Sequence, residues 1–190
     1  MGASRTGTMG AWLLCVCALG AVLLPAMSEA ASAQKIDAAA DKTLAQFRTQ
    51  FAAGPHVLRQ AKGVLVFPEV IQAGAGIGGQ YGEGVLRING RSVGYYSFTG
   101  GSIGLQLGAQ SKSIIIAFMQ AHALNDFRAR AREGKSFQIG GDASVALLTT
   151  GSEAALTSAI NQPILGFVFN QKGLMGSLSI EGSKITKIQR

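Results

Sequence analysis

Two glycine-rich motifs have the residue types and spacing of sites that carry out chemistry. Gly74, Gly76 and Gly79 satisfy G-x-G-x-x-G after an apolar run, which is the pattern of a dinucleotide-binding loop. Such a loop must lead directly into a helix, because the phosphate binds at the helix N-terminus. Residues 80–84 instead contain two more glycines, which are poor helix formers. We therefore expect a β-strand here, with glycines at positions where neighbouring groups press close.

The second motif, residues 100–104, reads GGSIG and matches the nucleophile elbow G-x-S-x-G. An elbow requires a strand, a sharp turn and a helix, followed by an acid and then a histidine. Residues 105–108 continue a strand-like alternation, and the last histidine, His122, precedes Asp142. We therefore expect Ser102 to lie in a glycine-rich strand turn. With two distant histidines and no H-E-x-x-H pattern, the sequence predicts no enzymatic activity, no cofactor and no metal site.

The first 33 residues have the organisation of a secretory signal peptide. Arg5 supplies a positive start, residues 12–24 are apolar, and small residues at 28–33 offer cleavage sites. A retained membrane anchor is the alternative, but the apolar run is short for a bilayer span. We predict a cleaved segment 1–33, a single domain at 34–190, and a location in the periplasm or peripheral to an envelope membrane.

Export also limits the chemistry and the partners of the mature chain. The two cysteines, Cys15 and Cys17, lie in the predicted signal segment, so the exported chain has neither disulfide nor thiol. The formal net charge is +7, and cleavage removes only Arg5 and Glu29, one charge of each sign. A basic exported protein favours an anionic partner such as lipid headgroups or envelope polymers. Nucleic acid is not expected there.

Three segments have helical patterns. Residues 32–51 predict an amphipathic helix, and its apolar face comprises Ile36, Ala40, Leu44, Phe47 and Phe51. This face either packs on the domain or lies on a membrane surface. Residues 56–62 predict a short second helix, and residues 121–132 predict a further helix that ends at Gly134.

The rest of the chain has strand patterns separated by turn residues. The predicted strands are 64–67, 75–81, 84–88, 92–99, 102–109, 113–119, 164–169, 177–180 and 183–188. The short spacing leaves no room for crossover helices, so the sheet should be mainly antiparallel. The predicted fold class is α+β and β-rich: an antiparallel sheet or partly closed barrel with an N-terminal amphipathic helix and one further helix near residues 121–132.

Four blocks together resemble one known family. They are residues 61–68 (AKGVLVFP), 101–111 (GSIGLQLGAQS), 140–146 (GGDASVA) and 172–183 (KGLMGSLSIEGS). In order and spacing the chain is similar to the SYLF domain family, whose members bind lipids and, in fungi, actin. The resemblance implies a non-enzymatic domain that binds anionic lipids, notably phosphoinositides in eukaryotic members, partly through an N-terminal amphipathic helix. Because export would separate this chain from actin, actin is not expected as a partner.

These observations predict a domain that binds acidic lipid at a membrane surface in the cell envelope through a diffuse, salt-sensitive attraction. The predicted lipid-contacting residues are Lys35, Lys42, Arg48, Lys62, Arg128, Arg132 and Lys135. Two alternatives stay open at this point. One is a structural or protein-interaction module of the envelope with a protein partner. The other is a small outer-membrane β-barrel.

Overall fold

The computed structural model describes residues 24–149, 159, 161–172 and 180–190, with side chains from residue 32 onward except at 75, 76 and 102–108. Most of the predicted signal segment, the side chain of Ser102 and residues 177–179 of a predicted strand therefore lie outside the described residues.

Three helices lie close to their predicted positions. Helix α1 spans Leu24–Gln50, beginning earlier than predicted, and helix α3 spans Ala121–Arg132 as predicted. Helix α2 spans Gly54–Gln60, two residues earlier than predicted, because Gly54 and Pro55 open it. Proline suits this place, because the first turn of a helix needs no backbone N–H donor there.

The described strands form one six-stranded sheet in the order β3-β6-β2-β5-β4, with β1 paired to β2. Their bounds are β1 Gly63–Ile88, β2 Arg91–Phe118, β3 Phe137–Gln138, β4 Ala146–Leu148, β5 Ile164–Lys172 and β6 Lys184–Ile188. The β4–β5 pair is parallel and the other pairs are antiparallel. The sheet curves into a half-barrel, which confirms the predicted α+β class with a mainly antiparallel sheet.

The five short strands predicted between residues 75 and 119 are wrong as separate elements. They are parts of β1 and β2, which pair along their whole length from Gly63–Phe118 to Ile88–Arg91. Asn89 and Gly90 close this ribbon with φ angles of 51° and 77°, as the Asn-Gly signal predicts. Register shifts interrupt the pairing at three places, and such bulges bend a strand without ending it.

The glycines of β1 let the strand fold back against itself. A Cβ atom placed on Gly84 would lie 2.3 Å from the carbonyl oxygen of Val66, and one on Gly82 would lie 2.6 Å from that of Glu69. Two halves of one strand therefore touch, although each half is paired to β2. The close-approach interpretation of the glycine run is confirmed. No helix follows Gly79, so the dinucleotide-loop geometry is absent from this part of the chain.

Both faces of the sheet are buried, each by a different helix. Alternate residues face opposite sides, as strand geometry requires. The α3-side core takes Leu65, Phe67, Leu86, Ile114 and Ile116 of the sheet, with Leu124 and Phe127 of α3. The α1-side core takes Val64, Val66, Val85, Ile115 and Phe167, with Ala40, Phe47 and Phe51 of α1. The apolar face of α1 therefore packs on the domain.

Candidate functional site

All seven predicted lipid-contacting residues are exposed, but the structure separates them into two groups. We call Lys35, Lys42 and Arg48 the α1 group, because all three lie on α1. Arg128 and Arg132 on α3, with Lys135 just beyond it and Lys62, make up the α3 group. Lys62 belongs there because the next residue, Gly63, adjoins the side chain of Leu124 on α3. Since α1 and α3 cover opposite faces of the sheet, the two groups cannot bind one flat surface together.

Most of these cations have no acidic partner within the described residues. The exception is Lys135, whose Nζ lies 2.8 Å from Glu133 Oε2. This hydrogen bond lowers the pKa of the Glu133 carboxyl. The guanidinium of Arg132 donates from Nε to the carbonyl oxygen of Arg128 at 3.3 Å. The cationic heads of the other members are directed to solvent, where a negatively charged surface could reach them.

Asp37 holds α1 to the β1–β2 ribbon. Its carboxylate accepts hydrogen bonds from Ser92 Oγ at 2.7 Å, Tyr95 Oη at 3.0 Å and Arg87 Nη2 at 3.3 Å. Arg87 also contacts Asp41 at 3.0 Å. Burial, and then the hydrogen bond to Asp37, raise the pKa of the Tyr95 hydroxyl. The acidic residues on α1 therefore serve to dock this helix, a role that sequence periodicity did not indicate.

We expect Asp37→Ala to lower the free energy of unfolding by about 2 kcal/mol, because it leaves the half-buried Arg87 with a single acidic partner, the exposed Asp41. The matched control is Asp41→Ala, which removes one contact from a side chain that is 65% exposed and should cost below about 1 kcal/mol. Both changes raise helix propensity equally, so their difference isolates the docking contacts. Urea unfolding measures both. Equal losses would contradict the docking role of Asp37.

The bend of β1 exposes large apolar side chains that the sequence did not single out. Ile71, Ile77 and Tyr81 are 50%, 79% and 51% exposed. The Tyr81 hydroxyl donates to Glu83 Oε1 at 2.8 Å, which raises the pKa of Tyr81, and Glu83 also pairs with Arg190. The pairing with Arg190 lowers the pKa of Glu83. Exposed apolar side chains that are bordered by polar residues are typical of surfaces that contact membranes or proteins.

On the other face of the ribbon lies a buried polar group formed by Gln72, Gln80 and Lys112. They are 3%, 5% and 6% exposed. Within the described residues, Lys112 Nζ and Gln80 Oε1 have no hydrogen-bond partner. Burial lowers the pKa of Lys112 to about 8. Sequence reasoning missed this group because a lysine beside a run of isoleucines is expected at a solvent-facing strand end.

Among the described residues, no group of three or more His, Cys, Asp or Glu side chains is placed to hold a metal ion. Over the same residues, no helix combines the length and the apolar character needed to cross a bilayer.

Comparison with known proteins gives one family. Residues 99–190 match the family model described as "Ysc84: Las17-binding protein actin regulator". This match agrees with the predicted resemblance to the SYLF domain family, and we call residues 99–190 the SYLF segment. The family is a binding-domain family associated with lipid and actin. No curated protein matches the chain.

The SYLF segment divides the candidate residues. It begins in β2 at Thr99, so it includes Lys112 and the three α3-group residues at 128, 132 and 135. The α1 group and Lys62 precede it. The strand Gly63–Ile88 also precedes it, although β1 pairs with β2 over the whole ribbon. The SYLF segment by itself therefore lacks the strand that completes its own sheet.

Proposed function

We propose that this chain is a non-enzymatic binding domain for anionic lipids at a membrane surface of the cell envelope. The observation that carries the proposal is the set of exposed cations on α1 and α3, of which all but Lys135 lack an acidic partner within the described residues. The SYLF segment supports it, because the family is associated with lipid binding. The predicted signal segment supports the envelope location, and we propose residues 34–190 as the exported domain.

The α3 group is the stronger candidate for the membrane contact. It has four members to the three of the α1 group, and three of those four lie in the SYLF segment. The apolar face of α1, for which packing on the domain and contact with a membrane were the two predicted roles, is in the α1-side core. As long as α1 stays docked, it can offer a membrane only charges.

We expect the protein to float with vesicles that contain phosphatidylglycerol, and not with phosphatidylcholine alone. A Lys or Arg near an anionic surface contributes about 1 kcal/mol at low salt. Arg128→Gln, Arg132→Gln and Lys135→Gln together should therefore weaken binding at least about tenfold. The matched control, Lys35→Gln, Lys42→Gln and Arg48→Gln, removes the same charge from exposed positions and should have a smaller effect. High salt should weaken every variant.

Charge-neutralised variants are preferable to deletion of residues 34–54. Phe47 and Phe51 pack against Phe167 and Phe169 with ring centroids 4.7–5.8 Å apart, so deletion would uncover an aromatic core. If the control triple weakens binding and the α3 triple does not, the contact surface is on α1. If the unaltered protein is not retained by acidic vesicles at low salt, the lipid proposal is wrong. An envelope protein partner then becomes the leading hypothesis.

A further inference from the structure

Lys112 places a positive charge inside the domain, and no described side chain forms an ion pair with it. The residue is 6% exposed, and within the described part of the chain its Nζ has no hydrogen-bond partner. A buried ammonium normally has a carboxylate or several oxygen acceptors around it, because the loss of hydration is otherwise uncompensated. With its pKa near 8, the amine is still mostly protonated at neutral pH. Among the described residues, Lys112 is therefore a desolvated cation without an anionic partner.

The strand register brings two amides to the same face as this amine. Lys112 pairs with Val70, which lies in the α3-side core, and Gln72 lies two residues further along the same face. Gln80 lies an even number of residues before Leu86 of that core, so the two share a face of β1. Gly82, which lies between them, adjoins Val70. Three buried polar side chains thus come from three neighbouring strand segments, at the end of the apolar core.

The chemistry of these groups selects an oxyanion. An ammonium offers three N–H donors, while Gln80 Oε1, which has no partner among the described residues, can accept a hydrogen bond from a hydroxyl. A phosphate group meets both needs when it carries a proton or an adjacent hydroxyl, since its other oxygens accept. A simple cation would be repelled by Lys112, and an apolar ligand would leave both atoms unpaired.

We propose that Lys112, flanked by Gln72 and Gln80, binds a phosphate group inside the half-barrel. The phosphate is either free or the headgroup of an acidic lipid, and the lipid alternative rests on the function proposed above. The exposed Ile71, Ile77 and Tyr81 lie on the same bend of β1 and would meet the membrane from which a lipid enters. This buried amine is distinct from the exposed α1 and α3 groups, which attract the surface as a whole.

This site can be tested by thermal unfolding of the purified protein, in whatever form the expressing cell leaves it after any cleavage of the predicted signal segment. The probes are inorganic phosphate, dihexanoyl phosphatidic acid and, as a control for ionic strength, sodium chloride. A ligand that binds only the folded state raises Tm, here by a few degrees at saturation. We expect this rise in the unaltered protein and in Lys184→Met, which removes an exposed lysine, and we expect its loss in Lys112→Met.

Each outcome decides the proposal. A rise with inorganic phosphate identifies a free oxyanion as sufficient, and a rise with phosphatidic acid alone identifies a lipid headgroup. No rise with either probe, or an equal rise in Lys112→Met, overturns the site. Gln80→Leu is a second variant that keeps the charge, and it should reduce the rise. Phosphate stabilisation without vesicle flotation would uphold this site and reject the membrane function, whereas flotation without stabilisation would do the reverse.

Discussion

Gly84→Ala is expected to destabilise the domain by at least about 3 kcal/mol, at the upper end of what overpacking costs. The new methyl group would lie 2.3 Å from the Val66 carbonyl oxygen and 2.5 Å from Cδ1 of Phe67. Neither neighbour can move away easily, because both halves of β1 are paired to β2. Phe67 is also fully buried and packs edge-on against Phe98. Urea unfolding monitored by circular dichroism measures the loss.

The matched control for this prediction is Gly101→Ala on the other strand of the same ribbon. A Cβ atom at Gly101 would meet nothing within 4 Å, so this change should leave stability unchanged or raise it by up to about 1 kcal/mol. Equal stability of Gly84→Ala and the unaltered protein would show that the two halves of β1 do not touch. Such a result would also remove the geometry that brings Gln80 near Lys112.

Lys112→Met is expected to raise the free energy of unfolding at pH 7 by about 3 kcal/mol, the equivalent of the depressed pKa of this lysine. Below pH 8 the folded protein carries the unpaired charge, and the destabilisation is fully present. Between pH 8 and the ordinary lysine pKa of about 10.4, the unfolded chain holds more protons than the folded one. Rising pH therefore stabilises the unaltered protein relative to the variant, and above that range the two should be equally stable.

Chemical unfolding of both proteins across pH 6.5–10.5 measures whether their difference in stability decreases with rising pH, as predicted. Other lysines and tyrosines titrate equally in the two proteins, so the difference between the two curves reports on Lys112. Lys184→Met is again the control and should follow the unaltered protein at every pH, since Lys184 is exposed. A variant that is less stable at pH 7 would mean that the amine already has a favourable partner in the folded protein.

The sequence predicted correctly those helices and turns whose conformation depends on residues close together in the chain. The apolar spacing of residues 121–132 and the glycine after them give α3 its bounds, and Gly134 has φ +71°. Asn89 and Gly90 close the ribbon, and Gly182 turns with φ +75°, as their residue types require. In each case the decisive contacts are within a few residues of one another.

Local signals did not predict the length of β1 and β2. A glycine can either form a turn or make room for a close neighbour in a strand, and the sequence alone does not distinguish these two roles. Gly90 and Gly182 adopt positive φ and make turns. Gly82 and Gly84 are extended and are needed for the space they leave beside Glu69 and Val66. The second use depends on a neighbour far along the chain, so a glycine-rich stretch was interpreted as several turns.

For the candidate site residues too, the sequence predicted what local periodicity determines and not what depends on strand pairing. Polar periodicity placed the cations of α1 and α3 on exposed surfaces, and they are exposed. Their separation onto opposite faces of the sheet follows from strand pairing, which periodicity does not contain. Alternation with Ile114 and Ile116 places Lys112 on the α3 side of β2, and the bulge between Phe67 and Val70 brings Val70 to that same face. The segments of β1 that cover this face at residue 112 are distant in the sequence, so no local pattern predicts that it is buried there.

The β1–β2 ribbon also has a consequence for the order in which the chain folds. Its pairing can extend outward from the Asn89–Gly90 turn one residue pair at a time, so each new pair closes only a short loop. The strands β5 and β6 must instead find β2 from the distant C-terminal part of the chain. The ribbon should therefore form early, with its outer strands as the slow, entropy-limited step. Until they arrive, the free edge of β2 is the surface on which two folding chains would pair by mistake.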